Sequence, residues 1–452
     1  MTVVGAVAES AKVSGYQRFL DAFEEFEHGL PAGQPDALRS LRREALGRFR
    51  ELGFPTIKEE EWRFTNVAPV ARTAFSLSAE SGRLTENDLA PYRLRGGVDV
   101  VVVNGRFEPR LSTTDGLPDG VVVTGLADAL QRVPDLVTRY LGQLAVLGHH
   151  PFVALNTAFF SDGVFIHVPR NTVVEQPLNL LCIAKPDEEP IAMFPRILLV
   201  AEESSQVTVV EQYATVGEGA YLTSPVTELN AAPNAVVDHY KLQREAVEAF
   251  HLATFEIWQD RDSNVSSHSI SWGGGLVRND VRAMLDGEGC ETTLNGLYMV
   301  EGSQLIDNHM RVEHAKANCD SHELYKGILE GRSKAVFNGR IFVHKGAQKT
   351  DAKQTNRNLL ASPEAICNSN PQLEIFADDV KCTHGSTVGE LDETAIFYLR
   401  SRGIGEDAAR SLLTYAFAAD IVGRIRVDGV RRDLEEFLFR RLPKGDIVRQ
   451  AV

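Results

Sequence analysis

The sequence predicts a mainly β protein, a right-handed parallel β-helix core with helical regions before and after it. Three observations carry this expectation. Between about residues 151 and 390, short runs rich in Val, Ile, Leu and Phe alternate with turn residues, and almost no helical periodicity survives. A weak repeat runs through the same region. Asn295-Gly296 and Val300 return as Asn338-Gly339 and Val343, 43 residues on, and Gly302, Gln304 and Asp307 return as Gly346, Gln348 and Asp351, displaced by 44. A period near 43 fits two coils of ~20 residues each in a β-solenoid. A propeller blade of ~40–45 residues would also fit, but the copies are few and no WD-like marker accompanies them. Finally, the flanks are helical in texture, and a solenoid with open ends needs flanking segments as caps. The organisation expected is a helical region at 1–95, a mixed connecting segment at 96–150, the β-helix at 151–390 and a helical domain at 391–452.

The first region is helical and polar. Phe19, Phe23 and Phe26 recur at i, i+4 and i+7, and Leu38, Leu41, Ala45, Leu46 and Phe49 make a second stripe. These stripes are expected to pack together or on a partner. Gly53-Phe54-Pro55 breaks the pattern. Lys58 to Arg63 reads as a solvated charged face that Trp62 docks. In the connecting segment, Val100 to Val103 followed by Asn104-Gly105 reads as a strand and a tight turn, and Val133 to Leu147 as a helix. His149-His150 suggests a metal only weakly, since adjacent residues do not share a face in regular structure.

Within the strand-rich region, Val164 to Val168, Arg196 to Val200, Val207 to Val210, His251 to Trp258 and Lys334 to Val343 read as strands. After it, Glu406 to about Val422 and Arg431 to Leu442 carry apolar residues at helical spacing. Arg440 and Arg441 sit near a C-terminus, where the helix dipole favours cations. A small bundle and a docking platform both fit these stripes.

Composition narrows the function. The chain has 452 residues, 43% hydrophobic and 24% charged, ordinary for a soluble globular protein. A net charge of −15 argues against nucleic acid or an anionic membrane as the main partner. The N-terminus has neither a basic n-region nor a long apolar core, so no signal peptide is expected and a cytoplasmic location is the default. The five cysteines, Cys182, Cys290, Cys319, Cys367 and Cys382, are widely spread without a CxxC. That pattern argues against a disulfide framework or a closed four-cysteine cluster site. Cys182, in an apolar run, reads as a small buried hydrophobe, and core packing is the plain reading of Cys290, Cys319 and Cys367. No GxxxxGK[ST], HExxH or GxSxG occurs. A β-helix enzyme cleaving polysaccharides is one alternative, with Asp378-Asp379 as its best carboxylate pair. Adjacent strand residues point to opposite faces, however, and a glycosidase needs two carboxylates ~5–9 Å apart across one cleft. A purely structural oligomerisation module is the other alternative.

One stretch organises the rest. From Pro371 an extended run, Leu373-Glu374-Ile375-Phe376, leads through Asp378-Asp379 to Lys381, Cys382, Thr383 and His384. From Leu391 the period becomes helical, with Gly403 where a helix C-terminus favours positive φ. Cys and His bind borderline and soft metals such as zinc and iron. At i and i+2 on an extended segment, Cys382 and His384 share a side and could face one ion or one interface. Two ligands do not complete a metal site, so the others would come from elsewhere in the fold or from another subunit. A buried thiol with a histidine bonded to backbone is the plain alternative, and the residues alone leave both open.

The run QLEIFADDVKCTHGSTVGELDETAIFYLRSRGI closely resembles the C-terminal signature of the SufD family of the SUF iron–sulfur cluster assembly machinery. GFPTIKEEEWRFTN, Gly53 to Asn66, resembles the family's N-terminal motif, and FVALNTAFFSDGVFIHV, Phe152 to Val168, the entry to its central domain. The resemblance implies the same β-helix core and a non-catalytic scaffold subunit. It implies pairing with the paralogue SufB through the β-helix ends and with the ATPase SufC through the C-terminal helices, roughly Asp392 to Leu442. A cysteine desulfurase system would supply the complex indirectly, and the chain alone could form a homodimer. The resemblance further implies a transient Fe–S cluster shared with SufB. His384 would be the cluster-site or iron-entry residue and Cys382 an auxiliary thiol. The ligand cysteine of SufB would fall near Arg357, a departure that argues against the SufB type. Reduced flavin is associated with the family's complex, but nothing in this sequence marks a flavin site.

Overall fold

The computed structural model describes residues 2–30, 35–77, 84–148 and 150–451, with side chains from residue 16 onward. The chain is mainly β, 38% strand against 27% helix, with a β-solenoid of about eight turns flanked by N- and C-terminal helices. Each turn lays one strand in a ten-stranded sheet and one in an eleven-stranded sheet, and from Val226–Ala231 onward each strand pairs with the strand two further on. Almost all of this pairing is parallel, for example Asn264–Ser271 on Glu291–Val300 and that strand on Asp320–Leu329.

The register sets the size of a turn. Ser267 pairs with Leu294, Leu294 with Glu323, Glu323 with Gln354 and Gln354 with His384, so successive turns advance 27, 29, 31 and 30 residues. The expected coils of ~20 residues are therefore wrong. The repeat itself is real but relates different objects. Asn295 and Asn338 are each the fifth residue of a ten-residue strand, one in each sheet, one and a half turns apart. What recurs is the pattern of a strand, because every strand alternates inward and outward residues alike.

Alternation divides each strand between two cores. Inward residues such as Val100, Ile197, Val237, Val265 and Phe337 fill the solenoid. The outer faces are covered, which differs from the expected capping of both ends. Phe19, Phe23 and Phe49 pack with Phe159, Phe165 and Leu198 on the outer face of the eleven-stranded sheet, and the two predicted stripes do meet, with Phe19 edge-on to Phe49 at 6.2 Å. Tyr415, Ile421, Leu434 and Leu438 cover Leu242, Ile270, Leu297 and Ile328 of the other sheet. Helices Glu406–Val422 and Asp428–Arg441 supply these residues, close to the spans expected.

The connecting segment contributes to the solenoid. Val98–Val103 adds in parallel to Leu178–Ala184, then turns back through Asn104 and Gly105 onto Arg106–Phe107. The φ values of 47° and 81° at these two residues are what the tight hairpin turn demands. The helix expected over 133–147 stops at Tyr140, because Glu228 captures the next backbone amides. Its carboxylate accepts from Gly142, Leu144 and Ala145, each at 3.0 Å, and from the buried Arg196. His150 is an internal residue: Nδ1 accepts from the Val153 amide at 3.3 Å and Nε2 meets Asp280 at 3.0 Å. His149 lies outside the described residues.

The segment Gly53 to Asn66 is a latch on the eleven-stranded sheet. Trp62 is buried, as expected, and the Arg278 guanidinium lies 3.7 Å from its ring centroid. Arg278 donates to the Glu61 carbonyl at 2.7 Å, and to Asp280 and Asp307. His309 bridges Asp307 at 3.0 Å and Glu61 at 3.2 Å. Burial pushes the His309 imidazole down, but Asp307, with help from the Glu61 hydrogen bond, outweighs it and raises its pKa to about 9. A histidine raised from an unfolded value near 6.5 stabilises the fold fully below that value and loses its contribution as pH rises through about 9. The full term is roughly 3 kcal/mol. Urea unfolding is expected to show a stability loss between neutral pH and about pH 9.5, greater in the wild type than in His309→Gln. Equal losses in the two proteins would remove the latch from the pH response.

Candidate functional site at the open end

The two ends of the solenoid differ. At the first, Val122–Gly125 pairs antiparallel with Gly163–Val168, and Arg106–Phe107 pairs antiparallel with Val98–Val103. At the last, among the described residues, Ile366–Ile375 pairs only with Lys334–Val343, and Lys381–Gly389 only with Asp351–Leu360, within its sheet. Each leaves one edge of backbone donors and acceptors unpaired, the arrangement proteins normally protect. Apolar side chains accompany this edge: Ile366, Phe376 and Val388 are all exposed.

Cys382 and His384 lie on the second of these edge strands. Cys382 pairs with Ala352 and is half-buried among Ile341, Val343, Ala352 and Leu373, inside the last turn. Burial raises the thiol above its usual pKa, and the Asp351 carboxylate adds to the effect. His384 pairs with Gln354, shares the strand face of Cys382 by alternation, and is exposed. A soft donor and an imidazole thus stand together at the mouth of the solenoid. Among the described residues no group of three or more His, Cys, Asp or Glu is placed to hold a metal ion, so the two form an incomplete donor set.

Beneath them the interior becomes polar. Gln354, buried next to His384, donates to Glu323 at 3.0 Å, and burial raises the Glu323 carboxyl to about 8. A second file runs from Ser386 to Ser369 at 2.8 Å, and from Ser369 to Asn356 at 2.9 Å. Asn356 meets Tyr298, whose hydroxyl donates to Asn358 at 2.5 Å. Room is made by Gly339, where a Cβ would lie 2.4 Å from the Gln354 amide nitrogen. Sequence reasoning missed Glu323, Gln354 and Ser369. In strands such as Asp351–Leu360, polar residues occupy both faces, so alternation carries no signal there.

Asp378 and Asp379 sit in the turn between the two edge strands, exposed, with Asp379 paired to Lys349. They do not face each other across a groove, and this weighs against the glycan-cleaving alternative. Arg357 pairs with Thr387 on the outward set of its strand and is exposed.

The motif ends in helix Glu393–Ser401. Asp392 caps it by accepting from the Thr394 amide at 2.8 Å, and Gly403 takes φ +88°, as its position predicts. Only Ile396 of this helix is buried, while Phe397 and Tyr398 are 71% and 57% exposed. These two large exposed rings follow the edge strand Lys381–Gly389 in the chain, and exposed apolar groups of this size are a feature of interaction surfaces in general.

The profile described as SUF system FeS cluster assembly, SufBD core domain, matches residues 183–417, more than half of the chain. The chain belongs to the SufBD family. The family's N-terminal region matches residues 13–180. Among relatives, the iron–sulfur cluster assembly protein SufD of Escherichia coli is 33% identical over 88% of this chain and 92% of its own length. An iron–sulfur cluster assembly SufBD family protein of Synechocystis is 31% identical over 91% of this chain and 92% of its length. SufD of Bacillus subtilis is 28% identical over 95% and 99%. The SufBD core match thus contains the whole open end and the start of the helical platform. Among the described residues, no helix is long and apolar enough to cross a membrane.

Proposed function

We propose that this chain is a non-catalytic, cytoplasmic scaffold subunit of the SUF iron–sulfur assembly complex. Its open end pairs with SufB, and its C-terminal helices dock the SufC ATPase. The nascent cluster is cargo at the SufB interface. His384 completes its site or admits iron, and Cys382 is an auxiliary thiol. One observation carries the reading: the two metal-binding side chains stand on the unpaired edge of the solenoid, in an incomplete donor set that a second subunit can complete. An unpaired edge with exposed apolar side chains suits strand-to-strand pairing with a related solenoid. The helices of roughly Asp392 to Leu442 suit the ATPase contact, with Phe397 and Tyr398 as anchors, since exposed aromatic rings dominate many interfaces.

Anaerobic cluster reconstitution tests the reading. The isolated chain is expected to hold little chromophore, and the mixture with SufB and SufC to hold it fully. An intact cluster on the isolated chain would overturn the shared site. Phe397→Asp with Tyr398→Asp is expected to abolish co-elution with SufC while leaving SufB pairing and the thermal midpoint unchanged. Undiminished co-elution would move the ATPase contact elsewhere.

A further inference from the structure

We propose that Cys290 and Cys319 are an oxidisable pair that closes a covalent link between two consecutive turns of the solenoid. Each cysteine immediately precedes a strand, and these strands, Glu291–Val300 and Asp320–Leu329, pair in parallel with Glu291 opposite Asp320. The Asp320 amide donates to the Cys290 carbonyl at 2.9 Å, so the two cysteines are lateral neighbours although 29 residues separate them. Neighbouring strands lie about 4.7–4.9 Å apart, inside the ~4.4–6.8 Å that a disulfide spans between Cα atoms. Both thiols donate to one carbonyl, that of Gly287, at 3.2 Å each, which draws the sulfurs together. The other three cysteines sit in strands of other turns, Leu178–Ala184, Ile366–Ile375 and Lys381–Gly389.

The pair is buried but shallow. Cys290 lies directly behind the turn containing exposed Glu288, and Cys319 behind the turn containing exposed Lys316 and Asn318. Gly289 and Asn318 take φ of +76° and +59° in these turns. Opening one surface turn is a local event, far cheaper than unfolding the solenoid, and it admits a water-sized hydroperoxide. The two sulfurs are also unequal. The Ser263 hydroxyl donates to the Cys290 sulfur at 3.9 Å, a bond that favours the thiolate, whereas the Cys319 sulfur donates to the Gly287 and Ala317 carbonyls, which favours its thiol. Cys290 is therefore the nucleophile and Cys319 the resolving thiol.

The Cys290 thiolate attacks the O–O bond of hydrogen peroxide, giving a sulfenic acid and hydroxide, which takes up the proton Cys290 released and leaves as water. Cys319 then attacks the Cys290 sulfur, the S–S bond forms, and the sulfenic oxygen leaves as a second water. Two thiols lose two electrons, and one peroxide gains them. The product ties two turns in a ring, which restrains the unfolded chain.

The full-length chain, treated with hydrogen peroxide, denatured, alkylated and mapped by mass spectrometry, decides the matter. The expected product joins the Cys290 and Cys319 peptides with a mass loss of two hydrogens. It reverts with dithiothreitol, and the oxidised chain melts at a higher temperature. Cys319→Ser is expected to stop at a Cys290 sulfenic or sulfinic acid. Should that variant not fold, the wild-type map still decides. Recovery of both wild-type peptides fully alkylated after other thiols have oxidised, or joining of either to a third cysteine, would overturn the proposal.

Discussion

His384→Ala, reconstituted anaerobically with SufB and SufC, is expected to lose most of the iron–sulfur absorption, roughly tenfold or more. The expectation follows from the position of the residue rather than from its identity alone. His384 is an exposed residue on an edge strand, paired on one side only, so truncating it removes a donor and little packing. The thermal midpoint should hold while assembly falls. Cys382→Ala should behave differently. Its thiol packs among Ile341, Val343 and Ala352, so a loss of stability should accompany a smaller loss of cluster. If the His384→Ala complex assembles cluster at the wild-type level, the histidine is structural and the subunit contributes no ligand. The alternative of a purely structural oligomerisation module then gains ground.

Glu228→Gln is expected to destabilise the protein by about 3–5 kcal/mol. Glu228 and Arg196 are fully buried and meet at 2.5 Å. One Glu228 oxygen also accepts from the Gly142 amide and the other from Leu144 and Ala145. A glutamine leaves Arg196 as an uncompensated buried charge, and its NH2 faces amides that need an acceptor. The segment after Tyr140 should open first, so limited proteolysis within 141–148 reports the loss locally. Arg196→Met in the Glu228→Gln background should restore part of the stability, because the buried charge is gone. No recovery in the double variant would place the effect in the amide contacts alone.

Much of the fold was legible because its signals are local. The Phe19–Phe23–Phe26 stripe, the Asn104-Gly105 turn, the Glu406–Val422 helix and the Gly403 terminus each depend on a few neighbouring residues. Turn size was not. In a parallel solenoid the partner of a residue lies about 30 residues away, and here Glu323, Gln354 and His384 are lateral neighbours. The repeat from Asn295 to Asn338 joins strands of opposite sheets. The helix expected over 133–147 failed for a related reason: a carboxylate from a distant strand, Glu228, offers the backbone better partners than another helical turn.

The sequence by itself determined the class of the protein, the strand-rich core between helical flanks, and the pairing of Cys382 with His384 on one face. These follow from side-chain periodicity and from the geometry of residues i and i+2. Only the tertiary structure decided that this face ends the solenoid unpaired, that Glu323 and Gln354 lie beneath it, and that Cys290 meets Cys319. Those facts depend on register between strands about 30 residues apart, which the packing of whole turns settles and no short stretch of chain contains by itself.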